Sequence, residues 1–389
     1  MSDLGDAGHG AGGTVAKERR KYWIAGALAL FAVYIFVAAR PVPRETIMIP
    51  RWLISLESGY SMPLPGAQAP EAGDTAEAAA SGALPFRLGD HFGYADPGGT
   101  LPINRVRQRN VFLSAPYWAE YDDAPEQIEI LDNAGNSLFT IDESGGVQGY
   151  PLYLDGRLFL IGREMNTLTA LDGEGRPLWS YDFAAPLTCV DGAAGFVLTG
   201  SLDGAVEILD RDGRRFYFFE PGGSRISGIL GCAFSQDGSR IGIISGIDDQ
   251  RFLLLERYGD PARGEFRVIY HEFLEDGFRR PVHISFIDND SRVIFERQGG
   301  IGVYDLRGRA NRTIPLDGTV LALDAEGGGG IFFALVARPG QMELVGVRLP
   351  GTIVLRAPFR SDDAFLHRSG SRVYLGGGKV LAAFEMGKR

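Results

Sequence analysis

Five copies of one hairpin pattern, a second hairpin ahead of most of them, and a spacing of roughly 40 residues between copies predict an all-β fold. The expected architecture is a seven-bladed β-propeller, with eight blades as the alternative count, preceded by one N-terminal transmembrane helix. The composition agrees, since 54 glycines and many Phe and Tyr residues favour turn-rich β-structure over helices. A net charge of −10 argues against nucleic acid and anionic lipid as partners. Both are bound by basic surfaces that displace counterions.

In chain order, residues 1–21 read as a cytoplasmic tail and "YWIAGALALFAVYIFVAA", Tyr22–Ala39, as a membrane span. This run carries no charge and as a helix covers roughly 27 Å, close to the roughly 30 Å of a hydrocarbon core. Lys17, Arg19, Arg20 and Lys21 crowd its start, whereas Arg40, Arg44 and Arg51 follow at wider spacing. Cytoplasmic flanks carry the excess of Lys and Arg, so the N-terminus is expected inside and the rest outside. The expected location is the inner (cytoplasmic) membrane, single-pass, with the large domain periplasmic in the cell envelope. A cleavable signal peptide ending at Val37, Ala38 and Ala39 is the rival reading. The apolar run is longer than the roughly 7 to 15 residues of a signal-peptide core, which favours an uncleaved signal anchor.

Residues 40–85 are read as a juxtamembrane segment and disordered linker. Its end, "PLPGAQAPEAGDTAEAAASGALP", is mostly Ala, Pro, Gly and acidic residues and holds too little apolar surface to fold alone.

The propeller is assigned to 86–389. Aligned on the turn, the copies are "FGYADPGGTLPI" (92–103), "IEILDNAGNSLFTI" (128–141), "LTALDGEGRPLWSY" (168–181), "VEILDRDGRRFYFF" (206–219) and "IGVYDLRGRANRTI" (301–314). Looser copies start at Phe252, Leu344 and Val380. In each, an alternating apolar strand meets Asp at the first turn position and Gly at the fourth, the preference of a type I turn, and a second strand follows. The preceding hairpins include "CVDGAAGFVLTGS" (189–201) and "CAFSQDGSRIGIISG" (232–246). Two hairpins make four antiparallel strands, which is one blade. Eight turn copies enclose seven intervals, hence the count of seven. The partial copies at Phe92–Ile103 and Val380–Arg389 are expected to meet in one closing blade.

"SQDGSRIGIIS" resembles the turn motif of WD40-like and TolB-type blades. "LTALDGEGRPLWSY" is similar to the quinoprotein-like (PQQ-type) blade of the propeller subunit of the outer-membrane barrel assembly machine. The likeness spans about residues 90–389 at the level of blade motifs. The Gly-His and Trp-Asp dipeptides of true WD40 repeats are missing, so the partners of that family do not carry over.

Catalytic patterns are weak. Asp210 and Asp212 with Gly213 resemble the opening of a calcium loop, but the equivalent turns at Asp96, Asp132, Asp172 and Asp305 lack the set of further carboxylates a calcium loop needs, and the twelfth position counted from Asp210 is Pro221, not a bidentate Glu. The structural turn is therefore the reading, and no metal or cofactor is expected. His9, His91, His271, His283 and His367 are scattered without ligand spacing. No Gly-x-Ser-x-Gly elbow occurs, and Gly327–Gly330 lacks the Lys-Ser/Thr of a phosphate loop. Quinoprotein dehydrogenases carry an adjacent Cys-Cys pair; here Cys189 and Cys232 stand apart in successive repeats and are expected as buried thiols, with a disulfide as the alternative. The protein is not expected to be an enzyme.

What remains is surface. Four loops that join blade halves or blades carry acidic pairs with aromatic or basic neighbours. They contribute Tyr117, Trp118, Tyr121, Asp122 and Asp123; Asp248 and Asp249; Glu275, Asp276, Phe278, Arg279 and Arg280; and Asp362, Asp363 and Phe365. Acidic pairs in loops are usually simply solvated. Exposed aromatics and Arg among them would instead anchor a protein interface. The expected function is a membrane-anchored, extracytoplasmic, non-catalytic scaffold that binds another envelope protein. The alternatives are a propeller that senses a small ligand or sugar, and a hydrolase or lyase at the mouth of the central channel.

Overall fold

The computed structural model describes residues 31, 34, 46–62, 83–142, 148–260, 263–324 and 330–388. It divides into two units, Met48–Met386 and a smaller one of 1–47 with 387–389. The expected tail and span lie outside the described residues except for Phe31 and Tyr34, which are helical and exposed. Among the described residues no helix is long and apolar enough to cross a membrane. Of the expected linker, 40–45 and 63–82 lie outside the described residues.

In the larger unit the described strands form eight antiparallel sheets, so the blade count is eight rather than seven. Blade 1 is three-stranded among the described residues and spans 84–106. Blades 2 to 7 are four-stranded and span 110–142, 150–182, 187–219, 229–273, 284–315 and 319–359. Blade 8 joins Ala364–Ser369, Arg372–Gly377 and Val380–Lys388 to Thr46–Ser55 and Ser61–Met62.

The miscount has a definite cause. Phe92–Ile103 does not complete the last blade but belongs to a sheet of its own. The closing strand comes from Thr46–Ser55, inside the stretch assigned to the juxtamembrane segment. There Trp52, Ile54 and Leu56 are buried at the two-residue period of a strand. Pro50 and Arg51 obscure that period in the sequence. Pro50 is tolerated because, among the described residues, the outer neighbour pairs further on, at Leu53↔Met62 and Ile54↔Ser61. Arg51 is neutralised by an ion pair with Glu385.

The repeated turn is built as its residues require. Asp210 Oδ1 accepts the N–H groups of Asp212 and Arg214, each at 2.9 Å, and Gly213 N donates to Asp210 O at 3.1 Å. Gly213 has φ +76°, and the pairing slips by one residue between Ile208 and Leu209. This is a type I turn followed by a left-handed residue and a bulge, a standard three-residue hairpin connection. Asp132 and Asp172 hold their own turns with the same bonds. The carboxylate of the suspected calcium loop is thus spent on capping its turn.

The same glycines join the blades. A Cβ on Gly213 would collide with Trp179 from the outer strand of blade 3, and one on Gly175 would stand 2.7 Å from Phe139 of blade 2. A Cβ on Gly99 would likewise stand 2.7 Å from Trp52 of blade 8. Each turn therefore rests on an aromatic ring of the preceding blade. The core lies in the same interfaces: Leu198, Val206 and Ile208 of blade 4 pack with Ile229, Cys232 and Ile243 of blade 5. Fully burying each such side chain stabilises the fold by about 1.5–3 kcal/mol.

Because every strand reverses direction, turns after the first and third strands of a blade share one end of the sheets. Loops after the second strand and between blades share the other. This second end, the loop face, carries the candidate loop residues Asp122, Asp123, Asp248, Asp249, 275–280, Asp362 and Asp363.

Candidate functional site on the loop face

The sector spanning blades 4 to 6 is tied together by two carboxamide and carboxylate anchors. Asp248, in the loop after the second strand of blade 5, accepts the Ser224 hydroxyl, the Ile226 N–H at 3.1 Å and Arg225 Nε at 3.0 Å. Asp248 thereby fixes the connection 220–228 from blade 4. The Ser224 hydrogen bond, then that of Ile226, holds its carboxyl well below the usual carboxylate range. Two residues on, Gln250 is 1% exposed, and its Nε2 donates to Phe278 O at 3.1 Å while its Oε1 accepts Phe278 N–H at 3.2 Å. Gln250 thus fixes the connection 274–283 to blade 6.

Within that connection Arg280 makes a two-pronged bridge to buried Glu296, with Nη1 to Oε2 at 3.1 Å, and its guanidinium stands 4.4 Å from the Phe278 ring centre. Asp248, Asp249 and the 275–280 residues are therefore brought together. Asp249, Glu275, Asp276 and Arg279 point to solvent, while Asp248, Phe278 and Arg280 spend their groups on holding loops.

The other candidates lie elsewhere on the ring. Tyr117, Trp118 and Tyr121 are not in a loop: Ser114–Pro116 closes a tight turn, and Tyr117–Tyr121 is the second strand of blade 2. Trp118 is 3% exposed, donates Nε1–H to Asp132 O at 2.8 Å and packs its ring 5.7 Å from that of Phe92. Tyr121 is also buried, and Tyr117 packs edge-on to Tyr153. These aromatics are core, which corrects the expectation of an exposed anchor. Asp122 and Asp123 are exposed beyond that strand, Asp123 accepting from Asn110 Nδ2 at 2.8 Å. Asp362 and Asp363 lie between blades 7 and 8, where Asp363 accepts the Gly89 N–H of blade 1; Phe365 is half-buried in the strand Ala364–Ser369.

His91, His271 and His367 lie on three different blades, and His283 in the connection to blade 6. Cys189 and Cys232 are free thiols on adjoining first strands in one core, where burial, then the neighbouring Cys189, pushes the Cys232 thiol up.

Two features of this sector were not read from the sequence. Leu202, Ile226 and Phe273, all at the loop end of blades 4 and 5, are 51%, 53% and 56% exposed. Leu202 and Ile226 are lone apolar residues in polar settings, "GSLDGA" and "GSRISG", a signal too short for any periodicity, and Phe273 closes a strand in which its exposure cannot be told from its neighbours. Beside Leu202 and Ile226 lies a pocket of about 160 Å³ between blades 4 and 5, lined among others by Asp203, Glu220, Ser224, Ser227, Ser245 and Gly246.

The family model described as beta-propeller protein matches residues 14–388. This chain belongs to that family. An uncharacterized protein of Treponema pallidum (strain Nichols) is 29% identical over 311 residues, covering 80% of this chain and 79% of that one. Among solved structures, BamB from Moraxella catarrhalis superposes with a TM-score of 0.53 at 14% identity, covering 78% of this chain and 96% of its own. The computationally designed Ika8 protein gives 0.57 at 13% identity with the same coverages. These likenesses establish the fold, a β-propeller of repeated blades.

Proposed function

We propose that this chain is a non-catalytic scaffold that binds another protein through the loop face of blades 4 to 6. The observation that carries the proposal is the set of exposed Leu202, Ile226 and Phe273 standing among the exposed carboxylates Asp203, Asp249, Glu275 and Asp276. Isolated exposed apolar residues are ordinary, but three on one sector, rimmed by charge and held on well-anchored loops, have the layout of an interface. The N-terminal sequence supports the further reading that the propeller is held at a membrane by Tyr22–Ala39 and works outside the cytoplasm, with an envelope protein as its partner.

The test is photocrosslinking in intact cells from a residue on each face. A crosslinker at Asp249 should capture one protein in good yield, and one at Asp212, on the opposite end of the sheets, should not. Capture from Asp212 alone, or from neither, would refute this reading.

A further inference from the structure

We infer that the pocket between blades 4 and 5 is a socket for a lysine side chain of the partner, with Leu202 and Ile226 gripping an aliphatic residue beside that lysine. The inference rests on the scaffold reading and names the chemistry of its contact. Two carboxylates, Asp203 and Glu220, line the pocket. Ser245, which is 4% exposed, lines it too, and among the described residues its hydroxyl has no protein partner. Its counterpart in blade 4 differs: the Ser201 hydroxyl has both an Asp203 carboxylate oxygen and Ala205 O within reach as acceptors for its single proton. The Ser245 hydroxyl opens into the pocket and is not sealed off, so an ammonium group entering here would find it as an acceptor beside two carboxylates.

The neighbouring cations do not already fill this role. Arg225 is committed to Asp248, and Arg251 donates to Pro221 O at 2.9 Å and to Gly222 O. Size narrows the occupant further. A pocket of about 160 Å³ falls below the roughly 300–1,000 Å³ of sites that enclose a drug-sized ligand. It suits one long side chain whose methylenes lie along the apolar rim and whose charged head reaches inward. The net charge of −10 favours a basic partner over the same surface.

The test is a methyl NMR titration of the full chain, labelled at Ile and Leu, with the peptide acetyl-Leu-Lys-Leu-amide and its Lys-to-Gln analogue. The lysine peptide should shift the methyl signals of Leu202, Ile226 and Ile229, and the glutamine peptide should bind about tenfold more weakly or not at all. Asp203→Asn with Glu220→Gln should abolish the preference; Asn at 203 keeps an acceptor for Ser201. Asp249→Asn with Glu275→Gln, which removes equal charge outside the pocket, should leave it intact. Equal binding of the two peptides, shifts elsewhere, or equal loss from both charge-neutral pairs would overturn the socket. If the peptide behaves as expected while crosslinking from Asp249 captures nothing, the scaffold reading falls and the socket stands. Capture that persists in a protein blind to the lysine peptide has the opposite meaning.

Discussion

Trp179 of blade 3 lies against Gly213 of blade 4, with its indole Nε1 donating to Arg211 O at 2.8 Å across the blade boundary. One aromatic thus supports the neighbouring turn and satisfies one of its carbonyls. Gly213→Ala would bring a methyl into the ring at a φ that L-residues avoid. The loss should be about 2 kcal/mol or more, from backbone strain and overpacking together. Urea unfolding measures it; a loss below the resolution of the curve would mean that the turn does not rest on Trp179. Because the two residues touch, Trp179→Ala with Gly213→Ala should cost less than the sum of the single changes.

Closure of the ring is the second prediction. Trp52 is buried in the strand that completes blade 8, and its Nε1 donates to Pro97 O of blade 1 at 3.1 Å. Trp52→Ala should destabilise the propeller by about 3–5 kcal/mol. An unchanged urea midpoint would show that this strand is dispensable.

Arg280 and Glu296 give a third. Glu296 is 1% exposed and is held by the Arg280 guanidinium. Removing the cation alone leaves a buried charge, so Arg280→Met should cost about 3 kcal/mol at neutral pH, while Arg280→Met with Glu296→Leu should recover most of it. Equal destabilisation by both variants would contradict the assignment of the bridge as the lock on this loop.

A fourth concerns acid. Asp132 is held below the usual range by the Asn136 side chain and then its backbone N–H, and Asp172 by the Arg176 backbone and then its side chain. A carboxyl with a depressed folded pKa contributes stability above its unfolded value near about 4, and loses that contribution as pH falls through the folded value. Measured by unfolding curves, the contribution of these two carboxylates should therefore be constant from neutral pH down to about 5 and be lost progressively below it. In the Asp132→Asn, Asp172→Asn double variant that acid decline should be shallower. An identical decline would remove the turn carboxylates from the account.

The blade motif was legible because Asp and Gly recur at fixed offsets, and each has one physical job: Asp210 caps backbone N–H groups and Gly213 supplies positive φ against an aromatic ring. The closing strand was not, since Pro50 and Arg51 break the pattern of Trp52, Ile54 and Leu56 over too short a window. At the site, Asp249 and Glu275 lie in the loops that follow the second and fourth strands of blade 5. Trp118 misled because a Tyr- and Trp-rich run followed by two aspartates reads as loop until the turn at Ser114–Pro116 is known. Ser245 and Asp203 could not be paired from sequence, since the blade packing that brings them to one pocket joins loops 42 residues apart, 245 less 203.

The ion pair between Arg51 and Glu385 joins residues separated by 334 positions. During synthesis the Thr46–Ser55 strand emerges long before its partner Val380–Lys388 exists, and it must wait with Trp52, Ile54 and Leu56 uncovered. Bringing such distant segments together carries a loop-closure entropy that only the already assembled blades can reduce, by holding the two ends near each other. Circularisation is therefore expected to come last in forming the ring, and until then each nascent chain would offer an apolar strand that a second copy could capture in place of its own.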